Sequence, residues 1–113
     1  MLCFKINKQL TVDFVRINEL PLQLMPSGIT GYFSRYHYQI PETETEFYLL
    51  ANKGTEGYLI PEMKKVDYFI LIRNYFDPEE LEGFIEGINK IQEVVVAAEV
   101  NPEKLKSKEN LIF

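Results

Sequence analysis

The sequence contains one cysteine, Cys3, one histidine, His37, and no tryptophan. A single cysteine cannot form a disulfide within the chain, nor can it build a zinc site on thiolates. Nothing around Cys3 or His37 indicates a nucleophile pair, so Cys3 is expected to be a small buried hydrophobic residue. The sequence therefore predicts no metal site, no cofactor and no catalytic residue.

Catalytic and phosphate-binding motifs are missing as well. No glycine-rich loop follows a strand and opens a helix, as the common phosphate-binding turns require. Neither an HExxH-like pair nor a serine-centred elbow occurs. An enzyme is thus the least favoured class of function.

Long apolar runs and an excess of basic residues are also absent. No apolar run reaches the length of a transmembrane helix, and no basic region precedes a long apolar stretch as in a secretory signal. The 12 basic residues are outnumbered by 17 acidic ones, which gives a formal net charge of −5. Such a balance disfavours binding to duplex nucleic acid. These absences predict a cytoplasmic protein whose partners include neither membrane nor nucleic acid.

The composition of the chain is that of one folded domain. Its 113 residues are 46% hydrophobic and 13% aromatic, which is enough for one core but not for two. No repeat, linker or low-complexity segment divides the chain. Residues 1–113 are therefore predicted to form a single domain.

Hydrophobic patterns in the first two thirds predict a helix followed by strands. Apolar residues recur at every fourth position over 2–14, which favours a helix, although the alternation over 2–6 leaves a short strand as the alternative. The proline-rich stretch 18–30 is expected to turn or to run over the surface. Short connections between the strands favour an antiparallel meander. The predicted strands are 15–17, 31–40, 46–51, 57–60 and 67–76, and the last is apolar on both faces, which predicts a central position.

The clearest predicted element is a helix over 78–91. Asp77 suits the N-cap and Pro78 the first helical position, and an apolar stripe at helical spacing follows. Gly83 and Gly87 lie on the flank of this stripe, where each costs about 1 kcal/mol relative to alanine. That cost indicates close packing against another backbone, inside the domain or across a dimer.

After this helix, a buried strand is predicted over 94–100 and would complete a βαβ unit. Asn101 and Pro102 repeat the cap-then-proline signal and predict a short helix to about Ser107. The apolar tail that ends at Phe113 is expected to dock. The predicted fold is α+β, with a mostly antiparallel sheet made of a meander and a C-terminal βαβ unit, and with the main helix packed on one face.

Polar side chains cluster around the corner at residues 60–68. Glu62, Lys64, Asp67 and Tyr68 are candidate binding residues, and the two carboxylates with the tyrosine hydroxyl would be the acid–base groups of an enzyme. The alternative, which we favour, is a strand–turn–strand corner whose polar groups satisfy the backbone of the turn.

Two arginines are further binding candidates. Arg35 and Arg73 each lie in a predicted strand, and they would bind a carboxylate or phosphate if both lay on one exposed sheet face. Each could equally pair with a neighbouring glutamate.

The corner at 60–68 also resembles the name-giving signature of the IPExxxVDY family, a set of small bacterial proteins to which no activity is assigned. The fixed positions of the signature are matched by Ile60-Pro61-Glu62 and Val66-Asp67-Tyr68. Tyr48-Leu49-Leu50, Asn52-Lys53 and residues 106–111 are similar to the family as well. The resemblance implies a bacterial protein whose relatives carry more sequence at the N-terminus, and it implies no particular activity.

The leading hypothesis is a non-catalytic protein-interaction module that binds an unidentified protein or itself, with a homodimer as one form. A partner would bury the flank of Gly83 and Gly87 and the apolar tail with Phe113. The alternative is a small-molecule-binding regulatory domain with an arginine as anion anchor, by analogy of fold alone. An enzyme that uses the polar groups of 60–68 is the least favoured hypothesis.

Overall fold

The computed structural model describes residues 2–10, 12–24, 27–74, 77–92, 94 and 96–111. Two helices flank four strands: α1 (Leu2–Leu10), β1 (Val15–Leu24), β2 (Ile29–Gln39), β3 (Glu46–Ala51), β4 (Tyr68–Arg73) and α2 (Pro78–Asn89). Short 3₁₀ turns lie at Pro61–Met63, Pro102–Lys104 and Lys108–Leu111. The strands form one antiparallel sheet in the order β1-β2-β3-β4. This architecture confirms the predicted α+β class.

One face of the sheet, the helix face, packs against α1 and α2. Tyr36, Phe47 and Leu49 of the strands share a hydrophobic cluster with Cys3 and Ile6 of α1. The ring of Phe47 also stacks on Phe84 of α2, with 5.3 Å between the ring centroids. Burial of Cys3 confirms its predicted place in a core.

The opposite face, the loop face, is covered without any long helix. Phe33 and Leu50 of the strands form a second cluster with Leu59 and Ile60, and all four have no exposed surface. Leu105, Leu111 and other partly buried residues pack against this cluster. Docking of the C-terminal segment is thus confirmed as far as Leu111, whereas Phe113 lies outside the described residues.

Helix α1 confirms the helical interpretation of the N-terminal pattern, but it ends at Leu10 instead of continuing to residue 14. The side chain of Asn7 donates to the carbonyl of Phe14 at 3.1 Å and accepts from its N–H at 2.8 Å. These bonds hold the chain in a turn, so Phe14 reaches the core from the segment that leads into β1.

Strand β1 is longer than predicted because it continues through Pro21. Pro21 lies opposite Tyr32 in the register. The N–H and C=O of Tyr32 both bond to Thr55, at 3.1 and 3.2 Å, and so point away from β1. A proline costs no ladder hydrogen bond at such a position, since its missing N–H would face outward from an edge strand.

Two predicted strands are wrong within the described residues. In segment 57–60 only Tyr58 pairs as in a strand, through an isolated bridge to Lys53. The N–H groups of Leu59 and Ile60 instead bond to the backbone and the side chain of Asn52. Segment 94–100 contains no strand in its described part, so the predicted βαβ unit is absent there. Instead the Asn89 side chain holds the backbone of Ala97 with bonds of 2.7 and 3.0 Å.

The helix signals near the C-terminus give mixed results. Asp77 caps α2 as predicted, since its carboxylate accepts from the N–H of Glu79 at 2.8 Å. Asn101 likewise accepts from Glu103 at 3.0 Å, but a 3₁₀ turn follows instead of the predicted helix to Ser107. Strand β4 is an edge strand, so the central position predicted for it is wrong.

Candidate functional site at the outer edge of β4

The corner around residues 60–68 is organised by Asn52, which has no exposed surface. Its side chain donates to the carbonyls of Met63 and Val66, at 2.9 and 2.8 Å, and accepts from the N–H of Ile60 at 2.8 Å. Its own N–H donates to the carbonyl of Asp67 at 2.9 Å. This one side chain therefore folds the signature stretch into a fixed loop.

Glu62 connects this loop to the C-terminal segment. Its carboxylate accepts from the N–H and from the hydroxyl of Ser107, each at 2.8 Å. Desolvation raises the pKa of Glu62, but hydrogen bonds from its own amide and from Ser107 outweigh that effect, so its pKa lies below the ordinary value. Through these bonds Glu62 links the corner at 60–68 to the C-terminal segment, and we call this contact the clasp.

The other candidate residues of the corner do not converge on a site. Lys64 is exposed, with its ammonium 5.7 Å from the centroid of the Tyr58 ring. Asp67 and Tyr68 are exposed at the start of β4, and no hydrogen bond joins either to Glu62 among the described residues. The hydrogen bonds at this corner are made by Asn52 and Glu62 to the backbone of the loop and to the C-terminal segment.

Arg35 and Arg73 do share the loop face, as an anion site would require. Arg35 on β2 is in line with Leu50 on β3 and with Phe69 on β4. Phe69 precedes Arg73 by four residues, so the two arginines are two strands and four residues apart. Standard sheet spacings place their Cα atoms roughly 17 Å apart. Arg35 also donates from Nε to the carbonyl of Asn18 at 3.0 Å. Arg35 is directed to β1 and Arg73 to the Tyr48 ring on β3, so this structure does not bring the two guanidinium groups together on one anion.

Arg73 lies in a small polar network on the loop face. Its guanidinium is 5.0 Å from the centroid of the Tyr48 ring, and the His37 ring lies 4.8 Å from the same centroid. Nε2 of His37 is 3.0 Å from Oε1 of Glu46, and Glu46 lies opposite Arg73 in the register of β3 and β4. Cys3 lies on the opposite face, so the sheet separates the only thiol from the only imidazole.

The two glycines of α2 have different surroundings. A Cβ on Gly87 would lie 2.3 Å from Cδ2 of Leu10, so this glycine permits close contact between α2 and α1 inside the chain. A Cβ on Gly83 would meet nothing within 4 Å among the described residues. Gly87 therefore packs against a side chain of α1 and not against another backbone as predicted, and Gly83 has neither contact among the described residues.

Two surface depressions of the described residues lie apart from the corner at 60–68. Two open depressions of about 640 and 450 Å³ are present, and neither includes a candidate residue from the 60–68 corner. No group of three or more histidine, cysteine or acidic residues there is placed to hold a metal ion. None of the described helices is long and apolar enough to cross a membrane.

The feature that does point to binding is the outer edge of β4. The bond from Asn52 to Asp67 continues the ladder between β3 and β4. Backbone groups alternate in direction along a strand. The N–H and C=O groups that point away from β3 are therefore those of Tyr68, Ile70 and Ile72. No backbone hydrogen bond to these outward groups is made by any described residue.

Three of the candidate residues from the sequence lie on or next to this strand. Asp67, Tyr68 and Arg73 were chosen for their side-chain chemistry, whereas the structure places them together along one open strand edge. Neither the hub role of Asn52 nor the edge position of β4 was predicted. No family model, no curated protein and no solved structure matches this chain.

Proposed function

We propose that this protein is a non-catalytic interaction module that binds an extended polypeptide segment along the outer edge of β4. The observation that carries the proposal is the row of outward backbone groups on Tyr68, Ile70 and Ile72. Buried backbone groups need partners, and an exposed row of them is a template for an added strand.

The composition of β4 supports this use of the edge. Natural edge strands are commonly guarded by proline, lysine or a bulge. Strand β1, at the other edge, has Pro21 and an irregular register between Ile17 and Leu20. Strand β4 reads Tyr-Phe-Ile-Leu-Ile-Arg and contains none of these guards. Tyrosine and arginine, which begin and end it, are enriched in protein interfaces.

The polar residues of the 60–68 corner support a non-catalytic role. Asn52 and Glu62 are engaged in holding the loop and the C-terminal segment. Among the described residues, no buried polar side-chain atom lacks a hydrogen-bond partner. A catalytic site commonly keeps such groups available for a substrate, so this arrangement favours binding over chemistry.

The test is affinity capture from native lysate with wild-type protein, Tyr68→Pro and Tyr68→Ala. Both substitutions remove the tyrosine side chain, but only proline also removes the outward N–H. We expect the wild type to retain a specific polypeptide that Tyr68→Pro loses to a greater extent than Tyr68→Ala. Equal retention by the two variants would contradict strand addition at this edge, and so would a wild type that neither retains a polypeptide nor associates with itself.

Two broader statements remain part of the proposal. The first is a cytoplasmic location, which stays a prediction. Membership of the IPExxxVDY family is supported by the signature residues of the 60–68 corner, several of which have definite roles. Ile60 is buried, Glu62 clasps Ser107, and the carbonyl groups of Val66 and Asp67 accept hydrogen bonds from Asn52.

A further inference from the structure

We infer that the segment bound at this edge is β4 of a second copy of the chain, arranged antiparallel about a two-fold axis that passes at Ile70. The inference rests on the proposed function, since it identifies the partner at the same edge. It would join two four-stranded sheets into one continuous sheet, with both helix faces on the same side.

The direction of the backbone groups limits the register of this pairing. In a continuous sheet, residues opposite each other must lie on the same face, and outward groups must meet outward groups. A two-fold axis at Ile70 places Ile70 opposite its own copy and Tyr68 opposite Ile72 of the other copy. In this register each of the three outward residues, Tyr68, Ile70 and Ile72, lies opposite an outward residue of the other copy and exchanges two hydrogen bonds with it, on the order of six in all. With the axis at Leu71 only Ile70 and Ile72 lie opposite outward residues of β4, so fewer bonds form.

Charge complementarity supports the same register. An axis at Ile70 places Asp67 directly opposite Arg73 of the other copy, and the symmetry produces this pair twice. The backbone groups of both residues point toward β3, so Asp67 and Arg73 form a non-hydrogen-bonded pair, in which side chains approach most closely. Opposite charges therefore lie at both ends of an apolar centre.

A second copy fits this edge because the strand is complementary to itself. The acidic residue precedes the strand and the basic residue ends it, so only the antiparallel direction pairs unlike charges. Between them, Phe69 meets Leu71 of the other copy on the loop face. A parallel arrangement would place Asp67 opposite Asp67 and Arg73 opposite Arg73, which is unfavourable.

The test measures self-association by sedimentation and light scattering over a concentration series. The variants are Asp67→Arg, Arg73→Glu, the double variant that carries both, and Asp67→Asn. Each charge reversal places like charges opposite each other at two symmetric positions, so we expect about tenfold weaker association for each single variant. The double variant restores unlike pairs and should recover most of the loss, while Asp67→Asn should weaken association less than Asp67→Arg.

A melting temperature for each variant controls for folding, because Arg73 also contacts the Tyr48 ring. If Arg73→Glu lowers the melting temperature, the two Asp67 variants decide the question. A wild type that stays monomeric at all concentrations while a foreign polypeptide binds in a Tyr68→Pro-sensitive way overturns this inference and leaves the proposed function intact. A dimer that is indifferent to Asp67→Arg and to Tyr68→Pro uses another surface and overturns the inference as well.

Discussion

At the scale of single residues, Asn52 has the largest share in shaping the loop. A sequence pattern marks it only as the residue after β3, next to Lys53 and Gly54, where a turn is expected. Its hydrogen-bond partners lie further along the chain, at Ile60, Met63 and Val66. Patterns of neighbouring residues cannot show hydrogen bonds to residues so far along the chain. The turn after β3 was therefore predictable, but the role of Asn52 in holding the loop was not.

Substituting Asn52 tests this role. Asn52→Ala leaves one N–H and two carbonyls of the loop without their partner in a buried place, so we expect a loss of about 3 kcal/mol in the free energy of unfolding. Urea denaturation measures this loss. Lys53→Ala, at the exposed neighbouring position, is the matched control and should change stability by less than about 0.5 kcal/mol. A loss below about 1 kcal/mol for Asn52→Ala would show that the loop forms without this side chain.

The clasp between Glu62 and Ser107 predicts a dependence on pH. The folded state lowers the pKa of Glu62, so its stabilising contribution is complete above the ordinary glutamate pKa. That contribution is lost as the pH falls below about 4 and through the lower folded value. Amide hydrogen exchange at Ser107 should therefore accelerate, relative to other sites, as the pH falls through this range. In Glu62→Gln the same amide should show no such titration, and identical pH profiles for the two proteins would disprove the clasp.

At the scale of elements, the start of a helix could be predicted from residues within that helix, whereas the place of a strand in the sheet could not be predicted from the strand alone. The cap at Asp77 and the proline after it located the start of α2 correctly. The apolar residues on both faces of β4 were read as a sign of a central strand. In the structure the loop face of β4 is covered by coil and by the C-terminal segment, so an edge strand can be apolar on both faces. The apolar residues on the two faces of a strand indicate whether each face of the sheet is covered. They do not indicate whether another strand lies beside it.

The two glycines of α2 give a matched pair of substitutions. Gly83→Ala places a methyl group in open space, and the better helix propensity should stabilise the protein by about 0.5–1 kcal/mol. Gly87→Ala has the same propensity gain but forces the Leu10 side chain to move from a Cβ distance of 2.3 Å. We therefore expect thermal unfolding to show a higher melting temperature for Gly83→Ala and no increase for Gly87→Ala. A similar increase for both would mean that the contact between α1 and α2 adjusts at no cost.

At the scale of the whole molecule, a sheet of four strands is covered on both faces by a chain of 113 residues. The composition predicts one core, yet the sheet divides the buried residues into two clusters with separate covers. The helices on one side follow from their own sequence patterns. The loop and tail on the other side have no periodic pattern, and only the apolar residues near the C-terminus indicated that this segment docks.

The tail's contribution to the loop face can be measured in the full-length protein. Replacing Leu105 and Leu111 with serine removes two partly buried side chains from this cluster, and we expect a loss of about 2–4 kcal/mol in unfolding free energy. Chemical denaturation, together with dye binding to exposed apolar surface, would detect it. Lys106→Ser changes an exposed residue of the same segment and should leave both measurements unchanged. If the leucine variant were as stable as the lysine control, the docked tail would be dispensable.

The late position of this cover in the chain has a consequence for biosynthesis. Residues 105–111 are translated 32 to 38 residues after Arg73, the end of β4, a delay on the order of 2–8 s at roughly 5–20 residues per second. During that interval α1 is already present and α2 is completed, whereas the loop face still lacks part of its cover. Phe69 and Leu71 then face solvent or other nascent chains. The growing polypeptide should therefore depend on chaperone protection most strongly between the synthesis of β4 and the arrival of Leu111.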